Sequence, residues 1–397
     1  MRWLKNQFHL LQAILANLYY GFPSRKLVVV GITGTDGKTT TTHLVAHILK
    51  ATGLPVDFIS TVSAPGLHTT TPDSWVLQKF LRLLVNQKIK YVILESTSHG
   101  LDQNRLWGIN YAIGVVTNIT HEHLDYHKTY DNYLQAKAKL FRNVGYAILN
   151  RDDASYKPLK LIIENSLKIA CPARVNCKLK IISYGLHSNA DVNPQNFEFI
   201  TSLPGIYNKY NCLAAISVAK QFNLQDATIR KAVADFTGIP GRMEEVALGQ
   251  RFRVVVDFAH TPNGLKNALL TLKSQLHPGN KLIAVFGCAG LRDTQKRPLM
   301  GKISSQLADQ TILTAEDPRT EDVGKIIKQI SKPMEHNKYQ IVPDRRSAIM
   351  KAFSLARPGD IVGIFGKGHE QSICYGNTER YWSDREEARK ALQEIVK

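Results

Sequence analysis

The chain has 397 residues, more than one hydrophobic core usually organises, so two or three domains are expected. A hydrophobic fraction of 44% excludes an intrinsically disordered protein, and no continuous apolar stretch approaches the roughly eighteen residues of a transmembrane helix. The formal net charge of +18 favours anionic partners such as nucleotides, phosphosugars or an acidic membrane surface, but the scattered basic residues do not indicate nucleic-acid binding.

Residues 1–26 are predicted to form an amphipathic helix, because apolar side chains recur there at helical spacing between basic ends. The apolar positions are Trp3, Phe8, Leu11, Ile14, Leu15, Leu18 and Tyr19, and the basic ones are Arg2, Lys5, Arg25 and Lys26. The segment has no small-residue cleavage site, so it is not predicted to be a signal peptide. Two interpretations stay open: the helix packs on the first domain, or it binds a membrane surface or a protein partner.

A nucleotide-phosphate loop is predicted directly after this segment. The β-branched run at 28–30 leads into Gly31, Gly34 and Gly37, and a helix follows at 41–50. Glycines allow backbone N–H groups to surround an anion; Lys38 can reach the outer phosphates, and Thr39 can offer its hydroxyl to Mg²⁺. In the common motif the first glycine would stand at the position of Ile32, one residue after Gly31, but the order of strand, glycines, lysine and helix agrees.

Short strands and helices alternate along both halves of the chain, which predicts a doubly wound parallel α/β sheet. The first half shows strands at 56–59, 91–94, 111–116 and 147–150 and helices at 75–87 and 131–141. From 161 to 199 the pattern indicates only short β-like runs. The breaker-rich stretch at 238–242 marks a boundary, after which a second α/β alternation has strands at 254–257, 282–287, 310–314 and 360–366. We therefore predict three segments, 1–26, 27–240 and 241–397.

Two groups of residues in the first half are candidates for binding metal. Glu95 ends a buried strand, as the metal-binding acid of a P-loop ATPase often does, so it can share Mg²⁺ with Thr39. His121, His123 and His127 lie close together in sequence, and their spacing alone allows either a zinc patch or one histidine on Mg²⁺.

Lys137 stands between apolar residues on a predicted helix. Such a lysine usually lies on a solvated helix face. If it is buried near a metal it can lose its proton and take up CO₂ as a carbamate, which then acts as a metal-ligating carboxylate.

Polar residues follow the predicted strands of the second half. They are Asp257, His260, Arg292, the run Glu316-Asp317-Pro318-Arg319 and the run Gly366-Lys367-Gly368-His369-Glu370. Because ligands in parallel sheets gather at the carboxyl ends of strands, these residues are expected to lie close together. Arginines suit a carboxylate and acids suit an amino group, so the pattern favours an amino acid as substrate.

Several ordered motifs, from about residue 27 to the C-terminus, resemble those of the Mur ligases. They are Thr33-Gly34-Thr35-Asp36-Gly37-Lys38-Thr39-Thr40, Ser98-His99-Gly100-Leu101-Asp102-Gln103-Asn104-Arg105, His123-Leu124-Asp125-Tyr126-His127, Ala136-Lys137-Ala138-Lys139-Leu140-Phe141, Pro240-Gly241-Arg242-Met243-Glu244, Asp257-Phe258-Ala259-His260-Thr261-Pro262 and Lys296-Arg297-Pro298-Leu299-Met300-Gly301. Within that family the motifs are most similar to the tripeptide synthetase branch.

The resemblance implies ATP-driven amide formation through an acyl phosphate, on the pathway to peptidoglycan precursors. It assigns ATP to Gly34, Thr35, Asp36, Gly37, Lys38, Thr39, Thr40, Asn211, Arg242 and His260, and Mg²⁺ to Thr39, Glu95, His123 and carbamylated Lys137. It assigns the muramyl-peptide acceptor to Thr70, Thr71, Thr97, Gln103 and Arg105, and the incoming amino acid to Arg292, Glu316, Asp317, Arg319, Gly366 and Glu370. The implied catalytic residues are Lys38, Glu95, His123 and Lys137.

The chain departs from the family pattern at three points. Glu316-Asp317-Pro318-Arg319 stands where Asp-Asn-Pro-Arg accompanies meso-diaminopimelate; Arg319 is kept, so diaminopimelate is favoured over lysine. Thr97 replaces a serine but keeps the hydroxyl. Only residues 1–26 precede the P-loop domain, where relatives usually have a uridine-binding domain of about a hundred residues.

The third departure leaves open a Mur-family ligase for a lipid-linked or pseudomurein-type acceptor. A separate alternative is a non-catalytic nucleotide-binding regulatory protein. The five cysteines show no paired metal-ligand spacing and indicate reduced thiols. Reduced thiols favour a cytoplasmic protein, and a monomer is expected.

Overall fold

The computed structural model describes residues 2–62, 71–120, 122–170, 179–187 and 189–396. The chain divides into two compact units. The first unit comprises Met1–Thr120, Tyr126–Leu203 and Tyr207–Thr237, and the second comprises His121–Asp125, Pro204–Ile206 and Gly238–Lys397. Among the described residues, no helix combines the length and the apolarity needed to cross a membrane.

The first unit contains a six-stranded sheet in the order β2-β3-β1-β4-β5-β6, and every neighbouring pair is parallel. Its strands are β1 Val28–Thr33, β2 Val56–Ile59, β3 Tyr91–Glu95, β4 Tyr111–Val116, β5 Tyr146–Asn150 and β6 Lys180–Tyr184. The central strands are continuous apolar runs because both faces of a parallel sheet are covered. The predicted α/β fold is confirmed.

Up to residue 237 the structure has a helix in each of the predicted ranges 1–26, 41–50, 75–87 and 131–141, and several further helices. These helices are α1 Arg2–Tyr20, α2 Lys38–Ala51, α3 Ser74–Asn86, α4 Ser98–Asp102, α5 Leu124–His127, α6 Tyr130–Ala138, α7 Tyr156–Ala170, α8 Ile206–Lys220 and α9 Asp226–Asp235. The prediction of short β-like runs from 161 to 199 was wrong at its start, where α7 continues to Ala170, and is confirmed by the short strand β6 at Lys180–Tyr184. The β-branched Ile162 and Ile163 of α7 imitate a strand locally, but burial of Leu159 and Ile163, four residues apart, follows a helical face.

Gly31 lies within β1, not in the phosphate loop as expected. A Cβ atom at this position would lie 2.6 Å from Leu140 Cδ1 and 2.6 Å from Tyr111 Cε1. Gly31 is therefore a packing glycine of the sheet, and the loop begins only after Thr33.

The second unit contains another six-stranded sheet, in the order β11-β10-β9-β12-β8-β7, and a two-stranded hairpin of β13 and β14. The strands are β7 Glu244–Glu245, β8 Arg253–Asp257, β9 Leu282–Phe286, β10 Gln310–Leu313, β11 Tyr339–Ile341, β12 Ile361–Phe365, β13 Ser372–Tyr375 and β14 Thr378–Tyr381. The helices are α10 Pro262–Lys273, α11 Lys296–Leu307, α12 Val323–Ser331, α13 Arg345–Leu355 and α14 Asp384–Val396. All pairings in the six-stranded sheet are parallel except that of β7 with β8.

Candidate active-site residues

The loop between β1 and α2 is held by the residues that follow the neighbouring strand β4. Thr35 N donates to Asn118 O at 2.8 Å, and Asp36 N donates to Asn118 Oδ1 at 3.0 Å. Thr117 Oγ1 donates to Asp36 O at 2.6 Å. The loop thereby carries the chain directly into the first turn of α2, where the helix dipole favours a bound anion.

Gly37 ends this loop and must be glycine for two reasons. Its φ of 83° lies in the left-handed region, and a Cβ atom would lie 2.3 Å from Asn211 Oδ1. Asn211 is buried on α8, and Thr41 Oγ1 of α2 donates to its Oδ1 at 3.4 Å. The structure thus brings Gly37 and Asn211, two residues predicted to bind the nucleotide, into direct proximity.

Two lysine ammonium groups contact carbonyls of the same loop. Lys38 Nζ donates to Thr35 O at 2.7 Å, and Lys137 Nζ donates to Gly34 O at 2.6 Å. Lys137 is almost fully buried and its Nζ lies 4.5 Å from the centroid of the Tyr133 ring. Of the two interpretations open for Lys137, the structure supports the buried one. The charge of Lys38 suits a loop that binds phosphate groups.

Glu95, at the end of β3, is a buried carboxylate held by hydroxyl and amide donors. Thr39 Oγ1 lies 3.1 Å from each carboxylate oxygen, Thr61 N donates to Oε2 at 3.0 Å, and Thr61 Oγ1 lies 3.2 Å from both oxygens. Carboxylate and hydroxyl oxygens are the ligands that Mg²⁺ prefers, so Glu95 and Thr39 fit the predicted cation. Sequence reasoning missed Thr61, although its position just after β2 is the signal that identified Glu95.

The predicted acceptor residues Thr71, Thr97 and Arg105 lie together. Thr71 Oγ1 and Thr97 Oγ1 are 3.0 Å apart, and Arg105 Nη1 donates to Thr71 O. Gln103 is the C-cap residue directly after α4, and Thr70 lies outside the described residues.

Burial lowers the pKa of Arg105 below its ordinary value, and its Nε has no hydrogen-bond partner in the part of the chain that the structure describes. A partly desolvated guanidinium with unused donor capacity can bind an anionic group.

The histidines of the predicted metal patch lie in different units. His123 belongs to the second unit, has a φ of 57°, and its Nδ1 lies 3.8 Å from Glu122 Oε1. His127 belongs to the first unit, is fully buried, and its Nε2 lies 3.0 Å from Ser98 Oγ. His127 therefore acts as a packing residue, while His121 lies outside the described residues.

Glu316, the first residue of the run at 316–319 in the second unit, is a buried acid. Burial raises the pKa of Glu316 to about 7, although Lys296 and Lys367 oppose that rise, and Glu316 Oε2 has no partner among the described residues. Gly366 has a φ of 110° and a Cβ there would lie 3.2 Å from Glu316 Cδ. Two predicted amino-acid-binding positions, Glu316 and Gly366, are thereby adjacent.

Lys367 joins two other predicted positions. Its Nζ lies 2.9 Å from Asp317 Oδ1 and 2.6 Å from Glu370 Oε2. Burial acts to lower the pKa of Lys367, but the two carboxylates outweigh it and raise the pKa above its ordinary value. Arg319 Nη1 donates to Gly290 O at 2.7 Å, whereas the Arg292 side chain is exposed to solvent.

Sequence reasoning assigned no role to Lys296 and Arg345, two buried cations of this unit. Lys296 Nζ donates to His260 O at 2.8 Å and lies 3.7 Å from Glu122 Oε1. Arg345 lies beneath the strand ends, where it donates to Ala315 O and Phe365 O. In the sequence these residues look like ordinary surface charges, and only long-range contacts reveal their burial.

Arg242 and His260, both predicted to bind nucleotide, pack against one ring. The Arg242 guanidinium carbon lies 4.5 Å from the centroid of Phe258, and the His260 ring centroid lies 4.4 Å from it. Asp257 accepts from Met243 N at 2.7 Å and from Ala259 N at 2.8 Å, so it fixes the backbone on which both residues stand.

Comparison with known proteins agrees with these motifs. Residues 32–219 match the Mur ligase middle domain, and residues 241–368 match the Mur ligase, glutamate ligase domain. The chain is 37% identical over 397 residues to UDP-N-acetylmuramoyl-L-alanyl-D-glutamate–2,6-diaminopimelate ligase of Clostridium botulinum, covering 96% of this chain and 81% of that protein. The chain belongs to the Mur ligase family.

Other relatives have the same name as the Clostridium botulinum enzyme. The enzyme of Thermosynechococcus vestitus is 39% identical over 413 residues, which cover 96% of this chain and 80% of that protein. A solved structure of a UDP-N-acetylmuramoyl-L-alanyl-D-glutamate–2,6-diaminopimelate ligase is 33% identical, with a TM-score of 0.61, and covers 94% of this chain and 79% of that chain. The resemblance predicted from the sequence motifs is confirmed.

Proposed function

We propose that this Mur ligase adds an amino acid, meso-diaminopimelate, to UDP-MurNAc-L-Ala-D-Glu in peptidoglycan precursor synthesis, converting ATP to ADP and phosphate. The observation that carries the proposal is the buried contact of Thr39 with Glu95 beside the phosphate loop, in a chain related to diaminopimelate ligases. The acceptor carboxylate attacks the γ-phosphate to form an acyl phosphate and ADP. The amine of the incoming amino acid then attacks the acyl carbon, and phosphate leaves.

In the first unit, the loop from Gly34 to Thr40 binds the phosphates of ATP, and Asn211 supports the loop. Thr39 and Glu95 would hold Mg²⁺, with a carbamate on Lys137 as a further ligand; His123, to which the resemblance also assigns this ion, belongs to the second unit. An ion held there would offset negative charge on the transferring phosphoryl group. Lys38 contributes a second positive charge to the outer phosphates.

The acceptor contacts Thr70, Thr71, Thr97, Gln103 and Arg105. Arg105 supplies the positive charge that binds a carboxylate of the acceptor, because its guanidinium is partly desolvated and its Nε is an unused donor. The hydroxyls of Thr71 and Thr97, 3.0 Å apart, provide adjacent polar contacts.

In the second unit, Arg242 and His260 contact the nucleoside end of ATP, and the incoming amino acid binds among Arg292, Glu316, Asp317, Arg319, Gly366 and Glu370. Arg319 favours diaminopimelate over lysine, because a guanidinium pairs with the second carboxylate that lysine lacks. The carboxyl groups of Glu316, Asp317 and Glu370 bind the amino groups of the incoming amino acid.

We propose functional segments at 1–26, 27–240 and 241–397 and a cytoplasmic monomer, with α1 as the surface for a further partner. The reduced thiols of the buried Cys212, Cys288 and Cys374 support the location.

A phosphate-release assay with ATP, Mg²⁺ and UDP-MurNAc-L-Ala-D-Glu tests the activity. Diaminopimelate is expected to stimulate release and lysine is not, and Glu95→Gln is expected to abolish the stimulation. Omission of the acceptor controls for simple ATP hydrolysis. Release stimulated by lysine would overturn the amino-acid assignment, and no stimulation by any amino acid would overturn the acceptor.

A further inference from the structure

We propose that α1 binds the surface of an anionic lipid bilayer, lying parallel to it with one exposed apolar face in the interfacial region. The proposal goes beyond the ligase activity and does not depend on it. It rests on the exposure, orientation and charge of a single helix.

One face of α1 consists of large apolar side chains that are exposed to solvent. This apolar stripe comprises Trp3, Leu4, Phe8, Leu11, Leu15, Leu18 and Tyr19. Trp3 is 69% exposed and Tyr19 is 75% exposed. Isolated exposed apolar residues are ordinary on protein surfaces, but seven on one helical face form a contiguous patch of the kind that marks a docking surface.

The opposite face of α1 fixes the orientation of the stripe. Asn17 Nδ2 donates to Trp107 O at 2.9 Å, and Asn6 Nδ2 donates to Asp102 O at 3.1 Å. At the end of the helix Arg82 Nε donates to Tyr20 O at 2.8 Å. Because these polar contacts and the buried Ala13 and Ala16 hold the inner face on the first unit, the stripe stays directed outward.

A second helix widens the apolar surface. The Trp75 side chain of α3 is partly exposed, and its ring centroid lies 5.8 Å from that of Tyr19. Tyrosine and tryptophan prefer the interface between lipid and water, because each ring has an apolar body and one polar atom. Trp3 and Tyr19 place such rings near the two ends of α1.

The charged side chains that α1 and the segment following it contribute are all basic, and exposed Asp73, at the start of α3, is an acidic residue near them. Asp36 is the first acidic residue of the chain, and the exposed Lys5, Arg25 and Lys26 lie on or next to α1. Basic residues beside an apolar helical face are attracted to anionic headgroups and can extend toward them while their stems contact the apolar region. This complementarity assigns anionic lipid as the occupant.

The same charge pattern disfavours a second copy of the chain. From Leu4 to Leu18 the stripe has the alternating four- and three-residue spacing of a coiled coil. In a paired helix, however, flanking charges of opposite sign stabilise the partner, and α1 offers only cations.

Vesicle co-sedimentation of the full chain tests the proposal. We expect binding to vesicles that contain phosphatidylglycerol, weaker binding to phosphatidylcholine alone, and a loss of binding as salt rises. Leu11→Gln together with Leu18→Gln, at sites 54% and 61% exposed, is expected to weaken partitioning about tenfold or more. The control is Ile200→Gln with Ile341→Gln, at sites 78% and 52% exposed and outside the stripe, which is expected to bind like the unmodified chain.

Tryptophan fluorescence provides a second measurement that needs no apolar-to-polar change. Anionic vesicles are expected to shift the emission of the unmodified chain to shorter wavelength, and Trp3→Phe is expected to remove most of that shift. Absence of binding at low salt, equal binding to neutral vesicles, or equal loss in the control variant would overturn the proposal. A dimer in analytical ultracentrifugation that only the stripe variant disrupts, without vesicle binding, would instead assign the stripe to a second copy.

Discussion

Arg345 and Asp384 form a fully buried two-point ion pair, in which Arg345 Nε and Nη2 lie 2.7 Å from the two carboxylate oxygens. The same guanidinium donates to Ala315 O and Phe365 O, the carbonyls that precede Glu316 and Gly366. The pair therefore positions two loops that carry predicted amino-acid-binding residues.

Asp384→Asn is expected to lower the free energy of unfolding by about 3–5 kcal/mol, because it leaves the Arg345 charge buried without its counter-ion. Urea unfolding measures the change. The control is Glu394→Gln, which removes an exposed partner of Arg346 at 2.8 Å and is expected to cost less than about 1 kcal/mol. Similar losses in the two variants would contradict the structural role of the buried pair.

Thr39→Val is expected to abolish Mg²⁺-dependent ATP turnover, by about a hundredfold or more, since the hydroxyl beside Glu95 is lost. Glu95 keeps its contacts with Thr61, so the loss of stability is expected to stay within about 1–3 kcal/mol. Phosphate release titrated with Mg²⁺ measures the effect. Thr39→Ser restores the hydroxyl and is expected to retain activity; an inactive serine variant would show that shape, not the oxygen, matters.

Lys137→Ala is expected to abolish ligase activity, and a short-chain carboxylate added to the assay is expected to restore part of it by taking the place of the carbamate. The matched control is Lys139→Ala, which is expected to retain activity. The Lys139 side chain is partly exposed, and its ammonium lies 3.0 Å from Asp102 Oδ1. Steady-state phosphate release measures both variants. Full activity of the Lys137→Ala variant would exclude a carbamate, whereas activity lost without rescue would assign Lys137 to ammonium contacts such as the one with the Gly34 carbonyl.

Glu316 is expected to make stability fall as pH rises between about 4.5 and about 7. Burial raises its pKa from an ordinary value of 4.5 to about 7, so in this window the folded protein keeps a proton that the unfolded chain releases. The shift corresponds to a loss on the order of 3 kcal/mol once the carboxyl is ionised.

Denaturant unfolding of the unmodified chain and of Glu316→Gln, across this pH range, checks the expectation. The glutamine variant is expected to gain relative stability as pH rises, while Glu379→Gln, on the exposed strand β14, is expected to follow the unmodified chain. Parallel pH profiles for Glu316→Gln and the unmodified chain would show that Glu316 does not hold its proton.

Much of the first candidate site could be predicted because its signals are local. The apolar run of β1, the glycines and Lys38 follow one another in the chain, and Glu95 directly follows a buried run. Thr61 satisfies the same strand-end rule and was missed although the strand before it was predicted at 56–59. Gly31 was misplaced because a glycine within a strand looks like a loop residue until Leu140 and Tyr111 are seen against it.

The sequence by itself determined the fold class, the family and the order of the motifs, because hydrophobic period, glycine spacing and strand-end acids are properties of neighbouring residues. Only the tertiary structure decided which charges are buried, as with Lys137, Arg345 and Lys367, and which apolar face stays exposed, as on α1. Burial depends on residues far apart in the chain, since Arg345 meets Asp384 and Asn17 meets Trp107 only after folding. A lysine in water and a lysine in a core are written with the same letter.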